Sequence, residues 1–402
     1  MFKSLSLKVI LFGFIFTFFS SFGQSFFLGL FNSSIRNELS ITHGQFGSIY
    51  ASATLFSSFI LIWIGKKIDD VNILKFSLYV ILLLAISCFI FSKISSVIFL
   101  FFSIFLMRLS GQGLMSHTAT TTISRYFEKS RGKALSISWL GLSLAEFILP
   151  LLIVFLLTII EWRNIWSSIS IIVILILPLI SFFLVKNIYL DSREISKDKN
   201  NDIKKIKQWR RIEVLKDYRF YIICLNMLAM PWIATGTFVY QSFISTSKSW
   251  GPYVIAQSFM IYSILSVITL FFSGFLIDKF SSRKLLIYMN IPLFFSAFVL
   301  FYFDSPLSSF LFLGLIGVSN GLANVLGSAT WAEIYGVKYI GSIKALTTGL
   351  MVFSTAFGTA LFGILIDRDF SIEQIALVSG SYILIAITLL FLIKNKLNPI
   401  YL

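Results

Sequence analysis

Three ionisable side chains lie deep inside otherwise apolar stretches of this sequence: Arg108, His117 and Glu146. Arg108 follows an uncharged run at 97–107, so we expect it near the middle of a membrane, where an arginine costs from about 3 to more than 10 kcal/mol. An arginine at such a depth faces a partner or a water-filled cavity, and its planar guanidinium is suited to a carboxylate. Arg108 is therefore our first candidate for a binding residue.

Glu146 is predicted at about the same depth as Arg108, and two interpretations of these side chains fit the sequence. In one, they form a structural ion pair between neighbouring helices. In the other, Arg108 binds a substrate carboxylate or joins a proton relay, and Glu146 loads and releases a proton as its environment changes. The two roles can coexist, and the sequence leaves both open.

Gln112 and His117 follow Arg108 on the same predicted helix. Gln112 is at i+4 and shares the face of Arg108, whereas His117 lies about half a turn round the helix. A packed, hydrogen-bonded histidine suits His117 better than a pH switch, although histidine titrates in the useful range. The predicted substrate or proton-coupling set is Arg108, Glu146, Gln112 and His117.

The elements that must position these side chains are membrane helices. The chain of 402 residues is 57% hydrophobic and 13% charged, whereas a soluble chain is about a quarter charged. Apolar runs of about 20 residues recur along it and read as transmembrane helices. The sequence predicts an all-α membrane protein with twelve spans, at about 8–30, 45–65, 74–92, 97–123, 134–160, 165–186, 219–242, 253–277, 284–303, 307–332, 341–366 and 373–393.

The distribution of basic residues predicts the orientation of these spans. Of the 33 lysines and arginines, 27 fall in the even-numbered loops and at the two ends, and five fall in the odd-numbered loops. The positive-inside rule then places both termini in the cytoplasm, with the spans in the cell (inner) membrane. Since the net charge of +15 sits between membrane spans, it does not indicate a nucleic-acid partner.

The chain divides into two similar halves. We predict an N-terminal six-helix half at 1–186, a cytoplasmic linker at 187–218 and a C-terminal six-helix half at 219–402. Gly65–Asp69 (GKKID) matches Gly274–Asp278 (GFLID), and further short matches follow at nearly the same offset. Two pseudo-symmetric bundles with a site near the membrane midplane are a transporter architecture. The charged linker is expected to lie solvated at the membrane surface.

Several stretches resemble the major facilitator superfamily. Gly274–Lys284 (GFLIDKFSSRK) is similar to its G-x-x-x-D-(R/K)-x-G-(R/K)-(R/K) loop, with Ser in place of the second Gly, and Gly65–Asp69 is similar to its other copy. Arg108 followed by Gly111–Gly113 resembles the arginine motif of span 4. The resemblance covers all twelve spans and implies transport by alternating access.

Within this superfamily, Arg125–Ala134 (RYFEKSRGKA) resembles the branch of monocarboxylate porters and oxalate/formate antiporters. Members of that branch usually place a cation in span 8 or span 11. Here span 8 has none, and Lys344 lies only at the predicted cytoplasmic start of span 11. The branch therefore does not transfer its substrate class directly.

Other residues are assigned to the cavity or to a gate. Polar side chains in the spans could line a cavity, although each could equally join helices by hydrogen bonds: Gln24, Tyr50, Asn226, Trp232, Tyr240, Gln241, Gln257, Tyr262, Asn320 and Asn324. Charged residues at the cytoplasmic span ends are predicted to hold an inner gate shut: Asp69, Arg131, Asp278, Arg283 and Glu333.

The sequence predicts a secondary transporter of a small organic anion, of the carboxylate class, moved with protons or by exchange. The alternatives are efflux of larger amphipathic compounds and a non-transporting sensor on the same fold. The sequence has no Walker loop, zinc-type cluster or nucleophile elbow, so we expect no enzyme activity, cofactor or metal. The expected partners are a small-molecule substrate, protons and the lipid bilayer. We expect no nucleic-acid partner, and we expect the chain to act as a monomer.

Overall fold

The computed structural model describes residues 4–127, 131–186 and 207–400, and all regular elements in these ranges are helical. Twelve helices there are long and apolar enough to cross a membrane, which confirms the predicted fold class. In chain order, spans 1 to 12 are Leu5–Gly29, His43–Ile68, Ile73–Phe91, Val97–Tyr126, Gly132–Leu156, Trp162–Val185, Tyr218–Val239, Pro252–Ile277, Ser282–Tyr302, Pro306–Tyr335, Ser342–Asp367 and Ile372–Leu392. Shorter helices between them or after them are Asn32–Leu39, Arg211–Leu215, Gln241–Ser247 and Lys394–Lys396.

The helices form two compact units. The first contains spans 1 to 6 and also Phe238–Phe243 and Thr359–Asp367, which lie at the ends of spans 7 and 11. The second contains the rest of spans 7 to 12 and the residues that follow. The predicted division into 1–186 and 219–402 did not anticipate that these two short segments join the first unit.

In the first unit, span 1 packs along span 5, span 3 packs along span 6, and span 4 contacts spans 2 and 3. Trp166 of span 6 is fully buried at one end of this unit. Its ring lies 4.5 Å from that of Phe91, 5.1 Å from that of Phe31 and 5.4 Å from that of Phe27, measured between centroids. These aromatic contacts join the ends of spans 1, 3 and 6. They stabilise the packing there because large rings bury much apolar surface.

Spans 1 and 4 of the first unit depart from a regular α-helix near Gly23 and Arg108. Span 1 changes from the α-helix Ser4–Ser20 to the 3-10 turn Ser21–Gly23 and then to the short helix Ser25–Gly29. Span 4 is α-helical at Val97–Met107 and Ser116–Tyr126 and π-helical at Arg108–Met115 between them. π-helical turns are rare in proteins, and those that occur are often found at functional sites.

In the second unit, span 8 packs along span 10, and span 9 packs against spans 10 and 12. An apolar core at one end contains Trp331 and Tyr335 of span 10 together with Trp209 and Val214. Trp209 and Val214 belong to the predicted linker, and the Trp209 N–H donates to the Tyr335 carbonyl at 3.1 Å.

The last residues of the predicted linker therefore belong to the packed part of the second unit. Positions 207–217 pack on the second unit, because Trp209 and Val214 bury their side chains there. The rest of the predicted linker, at 187–206, lies outside the described residues.

Candidate functional site

Arg108 is buried in the middle of span 4, with 3% of its surface exposed. Its Nη1 atom donates a hydrogen bond to the Gly23 carbonyl at 3.1 Å, and its guanidinium lies 5.3 Å from the centre of the Tyr50 ring. The Nε atom has no hydrogen-bond partner among the described residues. A buried guanidinium is thus held by one carbonyl and one aromatic face, and it keeps unused donors.

The break in span 1 makes this carbonyl accessible to Arg108. Gly23 ends the 3-10 turn of span 1, and Gly111 lies in the π-helical part of span 4. A Cβ atom on Gly111 would lie 2.6 Å from the Gly23 N atom, and one on Gly23 would collide with the backbone at Met107 and Gln112. Only glycine allows the two backbones to approach so closely.

Glu146 is buried in span 5, with 8% of its surface exposed. It forms no ion pair with Arg108, and no other cation in the described ranges lies within ion-pair distance of it. The structural ion pair between Arg108 and Glu146, which was one of the two interpretations, is therefore not formed in this structure. Arg108 likewise has no carboxylate partner in the same ranges.

Gln112 and His117 do not join Arg108 in one hydrogen-bonded group. Arg108 and Gln112 both lie in the π-helical stretch Arg108–Met115, and the shared face of these two residues stays a prediction. Gln112 is half-buried in the same π-helical stretch. The His117 ring lies elsewhere, with Nε2 at 3.1 Å from the Gly65 carbonyl oxygen, which matches the packed, hydrogen-bonded histidine that was expected.

Several predicted cavity residues instead join helices. Asn290 Nδ2 donates to Asn226 Oδ1 at 3.1 Å, which joins spans 7 and 9, and Asn226 Nδ2 donates to the Leu286 carbonyl at 3.2 Å. Asn320 Nδ2 donates to Ser266 Oγ at 2.9 Å, which joins spans 10 and 8. In a membrane such polar contacts hold helices together, so Asn226 and Asn320 are structural residues in this arrangement.

The remaining cavity candidates differ in burial. Trp232 and Tyr262 are buried, and the Trp232 ring packs against those of Phe357 and Tyr382 at 6.0 and 5.4 Å. Gln24 is half-buried, next to the break in span 1, while Gln257 and Asn324 are exposed. Of the cavity set, Tyr50 places its ring against the Arg108 guanidinium.

The predicted gate residues are partly described. Glu333, near the end of span 10, pairs with Arg283 through Oε1 at 3.0 Å. Its other oxygen, Oε2, accepts a hydrogen bond from the Ser282 N–H at 2.9 Å at the start of span 9. The side chains of Asp69, Arg131 and Asp278 lie outside the described residues, and the gating role of the set stays a prediction.

A polar cluster that the sequence did not predict joins the start of span 2 to the ends of spans 7 and 11 in the first unit. Asp367, the last residue of span 11, accepts hydrogen bonds from the backbone of His43 and Gly44 at the start of span 2. The Tyr240 hydroxyl lies 2.8 Å from the His43 carbonyl and 3.1 Å from that of Thr359. An aspartate in the last position of an apolar span was the signal that could have drawn attention to it.

Gln241 and Tyr240 belong to this same cluster rather than to a cavity. Gln241 Nε2 donates to the Phe26 carbonyl at 2.8 Å and to that of Phe238 at 2.9 Å. Burial raises the pKa of Tyr240, so its hydroxyl stays protonated and can donate. These bonds hold Phe238–Phe243 to spans 1 and 2 of the first unit.

The sequence from residue 13 to residue 348 matches the family described as the Major Facilitator Superfamily. The chain belongs to this superfamily. As a member it is a multi-pass membrane protein and a secondary transporter of small molecules, not an enzyme. No group of three or more metal-ligating side chains occurs within the described positions.

Solved structures of other transporters share the superfamily fold. One is a bacterial homologue of the human lysosomal transporter Spinster in an inward-facing, unoccupied conformation, with 15% identity, a TM-score of 0.74 and coverage of 99% of this chain and 98% of that chain. Another is the nucleoside transporter NupG, with 15% identity, a TM-score of 0.67 and coverage of 97% and 99%. At these identities the likeness shows the fold alone. Among proteins with curated descriptions, none matches significantly.

Proposed function

We propose that this superfamily member moves a small organic anion of the carboxylate class by alternating access, and that Arg108 binds the anionic group. The observation that carries the proposal is that Arg108 is buried without a carboxylate partner among the described residues. A buried cation that is not compensated is strongly destabilising. An anionic substrate would supply the missing charge, and guanidinium binds carboxylates through paired hydrogen bonds.

The surroundings of Arg108 suit this role. The Gly23 carbonyl engages one nitrogen, and the Tyr50 ring covers the guanidinium at 5.3 Å. These contacts fix the side chain without neutralising its charge, because a carbonyl and a ring face carry only partial charges. The guanidinium is therefore positioned in advance, which lowers the cost of ordering it when a ligand binds.

Glu146 supports the proposal that transport is coupled to protons. It is the mid-span carboxylate of the N-terminal six spans, and no cation pairs with it within the described ranges. A carboxyl group that is buried in one state of the transport cycle and hydrated in another can bind and release a proton. We propose symport with protons on this basis, in a monomer with cytoplasmic termini as the basic loops predict.

The fold relatives point to a competing substrate class. NupG is named as a nucleoside transporter, and a nucleoside is neutral, so it would not compensate the charge of Arg108. The rival proposal of efflux of amphipathic compounds likewise gives Arg108 no anion to bind. A panel of ligands can therefore separate the three classes.

The test measures thermal stabilisation of the purified protein by small carboxylates, nucleosides and amphipathic cations. A ligand that binds the folded state raises stability by mass action. We expect stabilisation by at least one carboxylate and its loss in Arg108→Gln. The matched control is Arg368→Gln, which removes the same charge from an exposed position and should keep the response.

Carboxylate stabilisation that persists in Arg108→Gln would contradict the assignment of Arg108. A response to nucleosides or amphipathic cations alone would contradict the substrate class. If Arg108→Gln unfolds, Arg108→Lys keeps the charge without the planar fork, and we expect it to bind carboxylates at least tenfold more weakly, in line with a loss of about 1.4 kcal/mol or more. Uptake of the stabilising ligand into proteoliposomes then tests transport itself.

A further inference from the structure

A second basic site lies in the second unit, away from Arg108. A surface pocket of about 540 Å³ is lined by Arg210, Arg211, Ile212, Leu215, Tyr339 and Ser342. These residues come from two segments, the end of the predicted linker and the connection between spans 10 and 11. The transport site does not use any of them.

The walls of this pocket are fixed by the packing of the second unit. Val214 is fully buried and anchors the short helix Arg211–Leu215. The Trp209 N–H donates to the Tyr335 carbonyl at 3.1 Å, and the Lys338 N–H donates to Gln208 Oε1 at 2.8 Å. Hydrogen bonds from Trp209 and to Gln208 therefore join the two segments next to the pocket, which makes the pocket a built feature of the fold.

The pocket is positively charged. Arg210 and Arg211 are exposed, and the Arg210 guanidinium lies 5.9 Å from the centre of the Tyr339 ring. A hydrogen bond from Arg210, together with the charge of Lys338, lowers the pKa of Tyr339, which is the response expected of a phenol in a positive potential.

Glu213, three residues after Arg210, forms its ion pair with Lys207 and, within the described ranges, none with either arginine. Glu213 pairs with Lys207 at 3.3 Å, and it accepts a hydrogen bond from the Arg210 backbone N–H at 2.7 Å. The side chain of Arg211 has no partner among the described residues. An anion with several acceptor oxygens would satisfy both guanidinium groups.

The position of the pocket indicates where this anion comes from. Span 7 begins at Tyr218, span 10 ends at Tyr335 and span 11 begins at Ser342, so both segments that line the pocket directly adjoin span ends. Span ends are where a membrane protein meets lipid headgroups. Ile212 and Val337 are each 69% exposed beside the basic residues. Bases and exposed apolar side chains at one depth match a molecule with an anionic head and an apolar tail.

We propose that this pocket binds the phosphate-bearing headgroup of an anionic phospholipid, with Arg210 and Arg211 on the phosphate and Ile212 and Leu215 against the acyl chains. Binding would join the end of the linker to the connection between spans 10 and 11. The bound lipid would therefore stabilise the second unit at the membrane surface.

The test measures thermal unfolding of the full chain in nonionic detergent with added phosphatidylglycerol, phosphatidylcholine of the same acyl chains, or inorganic phosphate. We expect phosphatidylglycerol to stabilise the wild type more than the other two. In Arg210→Gln/Arg211→Gln its apparent affinity should fall roughly 25-fold, about fivefold for each arginine. The matched control is Lys279→Gln/Lys284→Gln, which removes two exposed charges near other span ends and should retain the affinity.

Equal loss in the control variant would overturn the proposal, because it would show attraction to charge in general. Stabilisation by inorganic phosphate to the same extent would overturn the assignment to a lipid. Should the double variant fail to fold, Lys338→Gln provides a second test, since the Lys338 ammonium lies 5.5 Å from the centre of the Tyr339 ring. An unchanged preference for phosphatidylglycerol in that variant and in each single arginine variant would also overturn the proposal.

Discussion

The carboxylate of Asp367 accepts hydrogen bonds from two backbone N–H groups at the start of span 2, from His43 at 2.9 Å and from Gly44 at 2.8 Å. The first amides of a helix have no partner inside the helix. Thr42 and Gln45 form a capping box that pairs two further amides at this end. Asp367 therefore completes the pairing from the end of span 11, and its charge is stabilised by the helix dipole.

Asp367→Asn should weaken the contact between the ends of spans 11 and 2. A cysteine introduced by Phe243→Cys becomes more accessible to alkylation when this contact loosens, because the Phe243 and His43 rings are 5.2 Å apart. The buried Cys88 and Cys224 are first replaced by alanine, so that only the introduced thiol reacts. We expect the alkylation rate in membranes to rise about two- to fivefold, since a charge at a helix N-terminus contributes about 0.5–1 kcal/mol.

The control for this prediction is Asp369→Asn, which removes the same charge two positions further along. Asp369 is exposed and makes no described contact with span 2, so its rate should match the parent. Equal rates in Asp367→Asn and Asp369→Asn would show that the Asp367 carboxylate does not hold these ends together.

Glu146→Gln should uncouple transport from protons, if the proposed function holds. The variant keeps the size of the side chain and removes its ability to exchange a proton. We expect accumulation driven by an imposed proton gradient to be lost in proteoliposomes, while exchange of substrate across the membrane continues. Glu161→Gln, at an exposed position before span 6, is the control, and gradient-driven accumulation in Glu146→Gln would exclude Glu146 as the coupling group.

Gly111→Ala should disturb the junction of spans 1 and 4. The added Cβ would lie 2.6 Å from the Gly23 N atom and 2.8 Å from its Cα, so backbone has to move. We expect a loss of about 1–3 kcal/mol in the free energy of unfolding, together with weaker anion binding, because the Gly23 carbonyl positions Arg108.

The control for this glycine is Gly349→Ala in span 11, where an added Cβ meets nothing within 4 Å. Alanine should be neutral or slightly stabilising there, since it is the better helix former. Thermal unfolding of both variants tests the difference, and a Gly111→Ala protein as stable as Gly349→Ala would show that the close approach is not required.

Glu333→Gln should destabilise the start of span 9. The Glu333 carboxylate accepts from the Ser282 N–H at 2.9 Å and from the Arg283 N–H at 3.3 Å, and it pairs with the Arg283 side chain. Glutamine retains an acceptor but loses the charge at the helix N-terminus, so we expect a loss of about 1 kcal/mol. Arg283→Gln should cost less in a thermal unfolding assay, since the backbone bonds remain; the reverse order would argue against capping.

Lys248→Met should change the stability of the second unit in a pH-dependent way. The Lys248 ammonium lies 2.6 Å from Asp304 and 2.8 Å from Glu373, with 1% of the side chain exposed. Burial lowers the pKa of Lys248, but the hydrogen bonds and charges of Asp304 and Glu373 outweigh this effect and raise the pKa above its ordinary value. The folded state therefore binds the Lys248 proton more tightly than the unfolded state does.

It follows that the contribution of Lys248 is complete below about pH 10.4, the ordinary lysine pKa, and is lost as the pH rises through the folded-state value. At pH 8 we expect the free energy of unfolding of Lys248→Met to be about 1 kcal/mol lower than that of the wild type. The loss is modest because 77% of the Asp304 side chain is exposed to solvent, which screens the ion pair. Thermal unfolding between about pH 8 and 11.5 checks this, and a difference between the proteins that does not shrink above about pH 10.4 would contradict the assignment.

The sequence by itself determined the twelve helices and the burial of Arg108. An apolar run of about 20 residues in a membrane can satisfy its backbone only as a helix, so hydropathy located every span within a few residues. It also placed Arg108 in the middle of one of them. The orientation in the membrane follows from the basic loops and stays a prediction.

Only the tertiary structure decided which side chains meet. The absence of an ion pair between Arg108 and Glu146, the bond from Arg108 to Gly23 and the contact of Asp367 with span 2 depend on how each helix is rotated and shifted against its neighbours. Hydropathy carries no information on rotation, and the π-helical turn at Arg108 alters it within span 4. The close approach of Gly23 and Gly111 sets that register through backbone contact, which residue spacing along the chain cannot show.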